Sequence, residues 1–456
     1  MSDVYMVYAS EDRGIAEEVY GHLEKLWDVW WDDKIVGPFS RAIEDQIPKS
    51  KCMVLLLSES SRAKDTVLDE LRLAKESELD ILIARLDHCK APYQYGGYSC
   101  CSMVDWDGDS DHAGFSQLMR KIATVVPPAM PPKRPISIAD SELKLPRLFY
   151  SISSYNTSIK PSEAVQALRA LQAPSILVSA YDLVSKREPE KMIIELKRYQ
   201  KSGGFILLDS GAYEASRLED KGWCVEDFNE AVTNTPHDYV FCFDKMNPSS
   251  GKKELVKQVI HAVLRDQKTT SSPVLPIVHA PPLKKGGYKL QDLPYIFHEI
   301  SKVLKPPMIA IPERELGAGI VARAKMISAI RQELSKLPHY QPIHVLGTGH
   351  PWAIAILVAA GADSFDGLEW CRYSLDADFE QISHFHLFDL VGNLDPTVEF
   401  AANVAIHNLN YLNSFNRNMQ EMVGQEKVEA WVTGILSLKS REPLEKLKVH
   451  YPGIFE

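Results

Sequence analysis

Short apolar runs alternate with apolar residues at helical spacing along most of the chain. The first run, Asp3–Ala9 (DVYMVYA), is β-rich, and in Gly14–Leu26 the residues Ile15, Val19, Leu23 and Leu26 recur at helical intervals. Val29–Trp31 is a second short run, and its pattern predicts one buried and one part-exposed tryptophan. Phe39–Ile47 is a helix candidate. Lys51–Leu57 (KCMVLLL) is almost continuously apolar, as expected of a parallel strand buried on both faces. Thr66–Ser77 is amphipathic, Ile81–Leu86 is apolar, Met103–Trp106 is read as a last strand and Phe115–Val125 as a last helix. Such βαβα alternation predicts a flavodoxin-like parallel sheet over residues 1–125.

Val126–Ile136 (VPPAMPPKRPI) breaks the pattern, because its five prolines fit neither a helix interior nor a central strand. A stiff linker is expected over residues 126–145. Alternation then resumes with eight strand candidates: Leu148–Ser151, Ser175–Ala180, Phe205–Leu208, Tyr239–Phe243, Val274–Val278, Met308–Ile311, Ile343–Leu346 and Ser364–Leu368. Helical stretches such as Glu190–Lys201, Lys253–Arg265 and Val321–Leu334 separate most of them. Eight βα units predict a TIM-type (β/α)8 barrel over 146–394, and the strandless remainder predicts a helical C-terminal extension over 395–456. The fold class is therefore α/β throughout.

Barrel chemistry gathers at the C-terminal ends of the strands. Those ends carry Asp209, Asp244, His279, Glu313-Arg314, Gly347-Thr348-Gly349 and Asp366. Three aspartates directly after apolar runs point to a ligand site, and the Gly347/Gly349 loop is a candidate phosphate cradle.

Composition narrows the class. A formal net charge of -10 argues against binding nucleic acid through phosphate contacts alone. The seven cysteines are odd in number, form no C-x-x-C pair and show no zinc-ligand spacing, so reduced thiols and no metal are expected. The opening MSDVYMVYASEDR reads as a strand of the mature fold rather than a signal peptide, and no apolar run is long enough to span a membrane. A cytoplasmic location is expected.

The N-terminal motifs YAS-E-D (Tyr8 to Asp12), WWDD (Trp30 to Asp33), SKCMVLLLS (Ser50–Ser58) and DTVLDEL (Asp65–Leu71) resemble those of a TIR domain in order and spacing. That resemblance implies NAD as substrate, with no further cofactor. It assigns catalysis to Glu70 and places Ser10, Asp33, Gly37 and Phe39 around the site. Loss of the cationic nicotinamide needs no acid, so one carboxylate beside the anomeric carbon suffices. Thr66 stands where NAD-cleaving relatives often carry an aromatic residue.

In the second half, DSGAYE (Asp209–Glu214), FCFD (Phe241–Asp244) and HVLGTGHPWAIAILVAAGADSFDGLEWCR (His344–Arg372) resemble the tRNA-guanine transglycosylases. The resemblance implies that Asp366 is a nucleophile at ribose C1′, that Asp209 acts on the leaving or entering base, and that Asp244 recognises the base. The family's DSGG has become DSGA, its FDCVLPTR has become FDGLEWCR, and its zinc-binding cysteines have no counterpart after Cys371.

Two functions are expected. One is an NAD glycohydrolase effector of anti-phage defence, releasing nicotinamide and linear or cyclic ADP-ribose. Its barrel senses a ligand or supports assembly, and the protein forms a homo-oligomer. The alternative is a base-exchanging ribosyltransferase acting on tRNA, DNA or a nucleotide through Asp366 and Asp209, with the TIR-like part as an interaction module. The barrel ligand is then a deazaguanine, a nucleotide or a modified nucleic-acid base.

Overall fold

The computed structural model describes residues 2–31, 39–109, 112–127, 133–138, 141, 143–155, 157, 159–184, 187, 189–284, 286–376 and 381–455. The chain divides into two compact units, Met1–Met130 and Pro131–Glu456.

The first unit is a five-stranded parallel sheet. Its strands are β1 (Val4–Val7), β2 (Val29–Trp30), β3 (Cys52–Leu57), β4 (Asp80–Arg85) and β5 (Ser99–Ser102), in the order β2-β1-β3-β4-β5. Side chains alternate across a strand. Val4, Met6, Cys52, Val54 and Leu56 accordingly enter the core on one face, while Tyr5, Val7, Met53, Leu55 and Leu57 enter the core on the other. Two-sided burial explains the unbroken apolar run of β3. Trp31 is buried and Trp30 part-exposed, as expected.

One expectation is corrected here. The last strand is Ser99–Ser102, not Met103–Trp106. This edge strand buries only Cys101, so it leaves almost no apolar signature. Met103 and Trp106 lie just beyond it, and Trp106 stacks on Phe115 with ring centroids 5.0 Å apart.

The second unit contains all eight expected barrel strands: β6 (Arg147–Ile152), β7 (Ser175–Ser179), β8 (Phe205–Asp209), β9 (Tyr239–Phe241), β10 (Val274–Leu275), β11 (Ile309–Pro312), β12 (Ile343–Leu346) and β13 (Ser364–Gly367). Every pair is parallel, in the order β10-β9-β8-β7-β6-β13-β12-β11. A parallel bridge between Ile277 and Ala310, with Val278 N–H donating to Ala310 O at 2.8 Å, closes the ring.

Alternation sorts these strands into inner and outer residues. Leu148, Tyr150, Ile206, Leu208, Val240, Ile309, Ile311, Val345 and Phe365 pack outward against the helices. Phe149, Leu177, Leu207, Phe241, Leu275, Ile277 and Ala310 fill the interior. Ser151 follows Phe149 by two positions, Asp209 follows Leu207 by two, and Asp366 stands one after outward Phe365. Periodicity alone thus turns these polar side chains toward the barrel axis at its upper end.

The expected linker is shorter than 126–145. Ser137 bridges to Lys144, and Ile138, Leu143 and Leu145 join the inner cluster beside Phe205, Tyr239 and Met308, at the lower rim. Proline density masked this plug in the sequence. Arg134 adds a clasp to it. Its Nε lies 2.8 Å from Asp363 Oδ1, which also accepts from Tyr340 Oη at 2.7 Å. Asp363 Oδ2 accepts from Arg331 at 2.6 Å and Ile343 N–H at 2.8 Å.

The C-terminal extension forms helices Phe400–Gly424, Val428–Ser437 and Glu442–His450. They pack into the barrel's outer core, and Asn416 accepts from Leu148 N–H at 2.9 Å. An antiparallel pair, Tyr373–Asp376 with Gln381–His384, follows β13 and carried no sequence signal of its own. Among the described residues no helix is long and apolar enough to cross a membrane.

The clasp yields a stability prediction. Asp363→Ala strands two arginines without their buried partner and lowers the barrel's unfolding free energy by about 3–5 kcal/mol. Urea unfolding followed by tryptophan fluorescence measures the loss, and an unchanged midpoint contradicts it.

Candidate functional site

The upper ends of the barrel strands enclose a cavity of about 320 Å³ whose lining includes Asp209, Asp244 and Asp366. The three aspartates singled out in the sequence therefore meet in one place, together with His279 and Gly347.

Asp366 is held by three groups. Ser151 Oγ donates to Oδ2 at 2.7 Å, Gly347 N–H donates to Oδ1 at 2.8 Å, and His344 Nε2 lies 3.3 Å from Oδ1. His344 is fixed in turn by Ser364 Oγ, 2.6 Å from its Nδ1, and by the rings of Phe149 and Phe241. These contacts fix the carboxylate's orientation.

Asp244 and His279 form the second feature. His279 Nε2 lies 2.6 Å from Asp244, and Nδ1 lies 3.0 Å from Glu315 Oε1. Glu315 also accepts from Ala280 N–H at 2.8 Å. Burial works to lower the His279 pKa, but the two carboxylates override it and lift the group to about 10. Burial works to raise Asp244, and the His279 hydrogen bond and charge overcome it, holding the carboxyl below its ordinary value.

Asp209 behaves oppositely. Burial, then the negative charges of Glu214 and Asp244, push its carboxyl well above the usual range, and Gly211 N–H donates to it at 3.2 Å. Glu214 is also raised, by burial and Asp182, although Ser153 Oγ donates to it at 2.8 Å. One mouth therefore holds an ionised carboxylate, Asp244, and a carboxyl driven to keep its proton, Asp209. Opposed tendencies of this kind suit general acid–base work.

The glycine loop differs from the expected phosphate cradle. Gly347, at φ 78°, turns its N–H onto Asp366, and the Gly349 N–H serves Glu369. The loop's amides thus organise protein carboxylates. Gly349 stands against Glu369 rather than on the cavity wall: a Cβ there would lie 1.8 Å from Glu369 Oε2. Burial pushes the Glu369 carboxyl up to about 7, opposed by the N–H groups of Glu369 and Gly349 and assisted by the charges of Asp366 and Glu313.

Ser151, Glu214, Glu315, His344 and Glu369 were not singled out in the sequence. Strand period 2 identifies Ser151 and His344 as inward-facing residues, whereas the three glutamates sit in loops and short helices, where no period applies.

In the first unit, Glu70 lies on the helix Asp65–Glu76, whose Val67, Leu71 and Ala74 face the core. Its Oε2 accepts from Tyr5 Oη at 3.2 Å, and Tyr5 stacks on Trp30 with centroids 4.8 Å apart. Ser10 follows β1, where Lys64 Nζ donates to its Oγ at 2.7 Å. Asp33 and Gly37 lie outside the described residues, as does the side chain of Phe39. Among the described residues no cluster of three or more histidines, cysteines and acids could hold a metal ion.

Comparison with known proteins agrees with this division. The TIR domain family model matches residues 4–119. The second half is similar to archaeal tRNA-guanine(15) transglycosylases. That of Methanopyrus kandleri is 22% identical over 246 residues, covering 52% of this chain and 51% of the relative. That of Sulfolobus acidocaldarius is 23% identical over 239 residues, covering 52% and 46%. That of Nanoarchaeum equitans is 26% identical over 353 residues, covering 70% and 80%. The chain thus spans about half the length of the first two.

The His279 triad has a pH signature. Its folded pKa near 10 lies above the unfolded value of about 6.5. Its contribution to stability is therefore complete below about pH 6.5 and is lost as pH rises toward 10. Histidine-labelled NMR checks this directly: one imidazole should titrate near 10, and a fit of every histidine near 6.5 contradicts the triad.

Proposed function

We propose that the barrel mouth exchanges a purine-type base on a ribose, with Asp366 as nucleophile. The observation that carries this reading is the Asp366 carboxylate, held by Ser151 and Gly347, on the same cavity as Asp209 and the His279-bound Asp244. A volume of about 320 Å³ falls at the small end of ligand pockets, the range of a nucleoside unit.

The chemistry runs in two steps. Asp366 attacks C1′, the C1′–N bond breaks, and its electron pair leaves with the base. Asp209 gives its proton to the departing base. An entering base then returns a proton to Asp209 and attacks C1′, and Asp366 leaves as carboxylate. Asp244, kept ionised by His279, accepts hydrogen bonds from the base's N–H groups. The names of the matched relatives make guanine in tRNA the first substrate to try, with DNA and free nucleotides next. Labelled guanine should enter one of these polymers or nucleotides, and Asp366→Ala should reduce incorporation at least a thousandfold. Incorporation that survives this substitution removes Asp366 as the nucleophile.

A second reading belongs to the first unit. The match to the TIR domain family and the Tyr5–Glu70 hydrogen bond support NAD cleavage to nicotinamide and linear or cyclic ADP-ribose, with Glu70 stabilising the developing positive charge. The barrel would then report a bound base or nucleotide to an NAD-consuming partner domain in an oligomeric anti-phage effector. Mass spectrometry of purified protein with NAD should show nicotinamide release that Glu70→Ala abolishes. Equal release by that variant eliminates Glu70 as the catalytic group.

A further inference from the structure

The two oxygens of Asp366 are held by different kinds of donor. Oδ2 accepts from the Ser151 hydroxyl at 2.7 Å. Oδ1 accepts from Gly347 N–H at 2.8 Å and faces His344 Nε2 at 3.3 Å. A hydroxyl rotates about its C–O bond. A backbone amide and a ring packed against Phe149 and Phe241 do not turn away so easily. The His344 side chain is 0% exposed, whereas that of Asp366 keeps 10% and lines the cavity.

The surroundings of His344 decide which nitrogen carries its proton. If Nδ1 alone were protonated, Nε2 would turn a lone pair onto the carboxylate oxygen, and two buried acceptors would face each other without a hydrogen between them. Ser364 prevents this. Its hydroxyl lies 2.6 Å from Nδ1 and 3.2 Å from Met308 Sδ. A thioether is a weak acceptor, so the imidazole nitrogen is the better partner for that hydroxyl proton. With Nδ1 accepting, the ring proton sits on Nε2 and points at Oδ1.

This asymmetry separates the two oxygens in the reaction. When a carboxylate attacks C1′, one oxygen becomes the ester oxygen and the other the ester carbonyl. The carbonyl oxygen goes on accepting hydrogen bonds, and it takes up negative charge again when the ester breaks. Oδ1, with two N–H donors fixed in place, suits the carbonyl role. Oδ2, whose hydroxyl partner can rotate aside, suits attack.

We propose that Oδ2 is the attacking atom and that His344, set in its Nε2–H tautomer by Ser364, is a positioning residue that makes Asp366 a better leaving group. The Oδ2–C1′ bond forms as the C1′–N bond breaks and its electron pair goes to the base. In the second step the Oδ2–C1′ bond breaks, its pair returns to the carboxylate, and the charge that develops on Oδ1 is met by His344 and Gly347. The inference rests on the base-exchange reading and divides the labour within it: His344 serves release of the ribose more than its capture.

Two measurements on the full-length protein test this. Nitrogen-15 NMR of histidine-labelled protein, with the His344 signals identified by their loss in His344→Gln, should show Nε2 protonated. A ring protonated at Nδ1 alone overturns the proposal without any turnover. Rapid quench with a guanine-containing oligoribonucleotide then separates the two steps. His344→Leu should slow transfer of ribose from Asp366 to an entering base about tenfold to a hundredfold, the size of one hydrogen bond to a charged group, and change adduct formation much less. His344→Gln, whose amide N–H can take the place of Nε2–H, should restore most of the loss, and thermal melts report whether each variant folds. Equal slowing of both steps, or equal defects in folded Leu and Gln variants, overturns the role of His344. A wild-type protein with Nε2 protonated that forms no adduct overturns the base-exchange reading, and the assignment of the attacking oxygen falls with it.

Discussion

The barrel is organised around like charge at close quarters. Asp209, Asp244, Asp366, Glu214 and Glu369 share one cavity of about 320 Å³. Five ionised carboxylates would repel one another strongly where burial weakens screening. The structure answers each differently. Asp244 is neutralised by a histidine clamped from its far side by Glu315. Asp366 is given three partners, and Ser153 serves Glu214. Asp209 and Glu369 are driven toward their protonated forms. One electrostatic problem thus generates distinct acids and acceptors from nearly identical side chains.

Closure of the sheet makes this crowding possible. With eight parallel strands joined into a ring through Ile277 and Ala310, every strand delivers its last inward residue to the same rim. At the lower rim Ile138, Leu143 and Leu145 pack into the inner cluster, and the cavity lies at the upper ends of the strands. The Asp363 clasp ties Arg134, just before this plug, to the foot of β13, the strand that carries Asp366. Packing at one end therefore supports the position of Asp366 at the other.

Much of this was legible in the sequence because it rests on periodicity. The β strands of the barrel, and Asp209, Asp244 and Asp366 at their ends, follow from apolar runs and the residue that terminates each. Three features did not follow. Ser99–Ser102 pairs through its backbone at a sheet edge, with only Cys101 buried, and an edge strand of this kind carries no apolar stripe. Ile138, Leu143 and Leu145 border a proline-rich stretch whose composition suggests a linker, and only their tertiary contacts reveal them as core. Glu315, Glu214 and Glu369 act from loops and short helices, where no repeat indicates which way a side chain points. The glycine loop is an instructive case: its position was correctly read, but its amides face Asp366 and Glu369, and only three-dimensional geometry distinguishes a carboxylate clamp from a phosphate cradle.

The central claim is that Asp366 attacks a ribose carbon. Its direct measurement is a rapid acid quench of the protein mixed with a guanine-containing oligoribonucleotide, followed by proteolysis and peptide mass mapping. The account predicts a ribosyl-linked adduct on the peptide containing Asp366, accumulating when no acceptor base is supplied and disappearing when guanine is added. Release of guanine without any adduct, or an adduct located on another carboxylate, would contradict it.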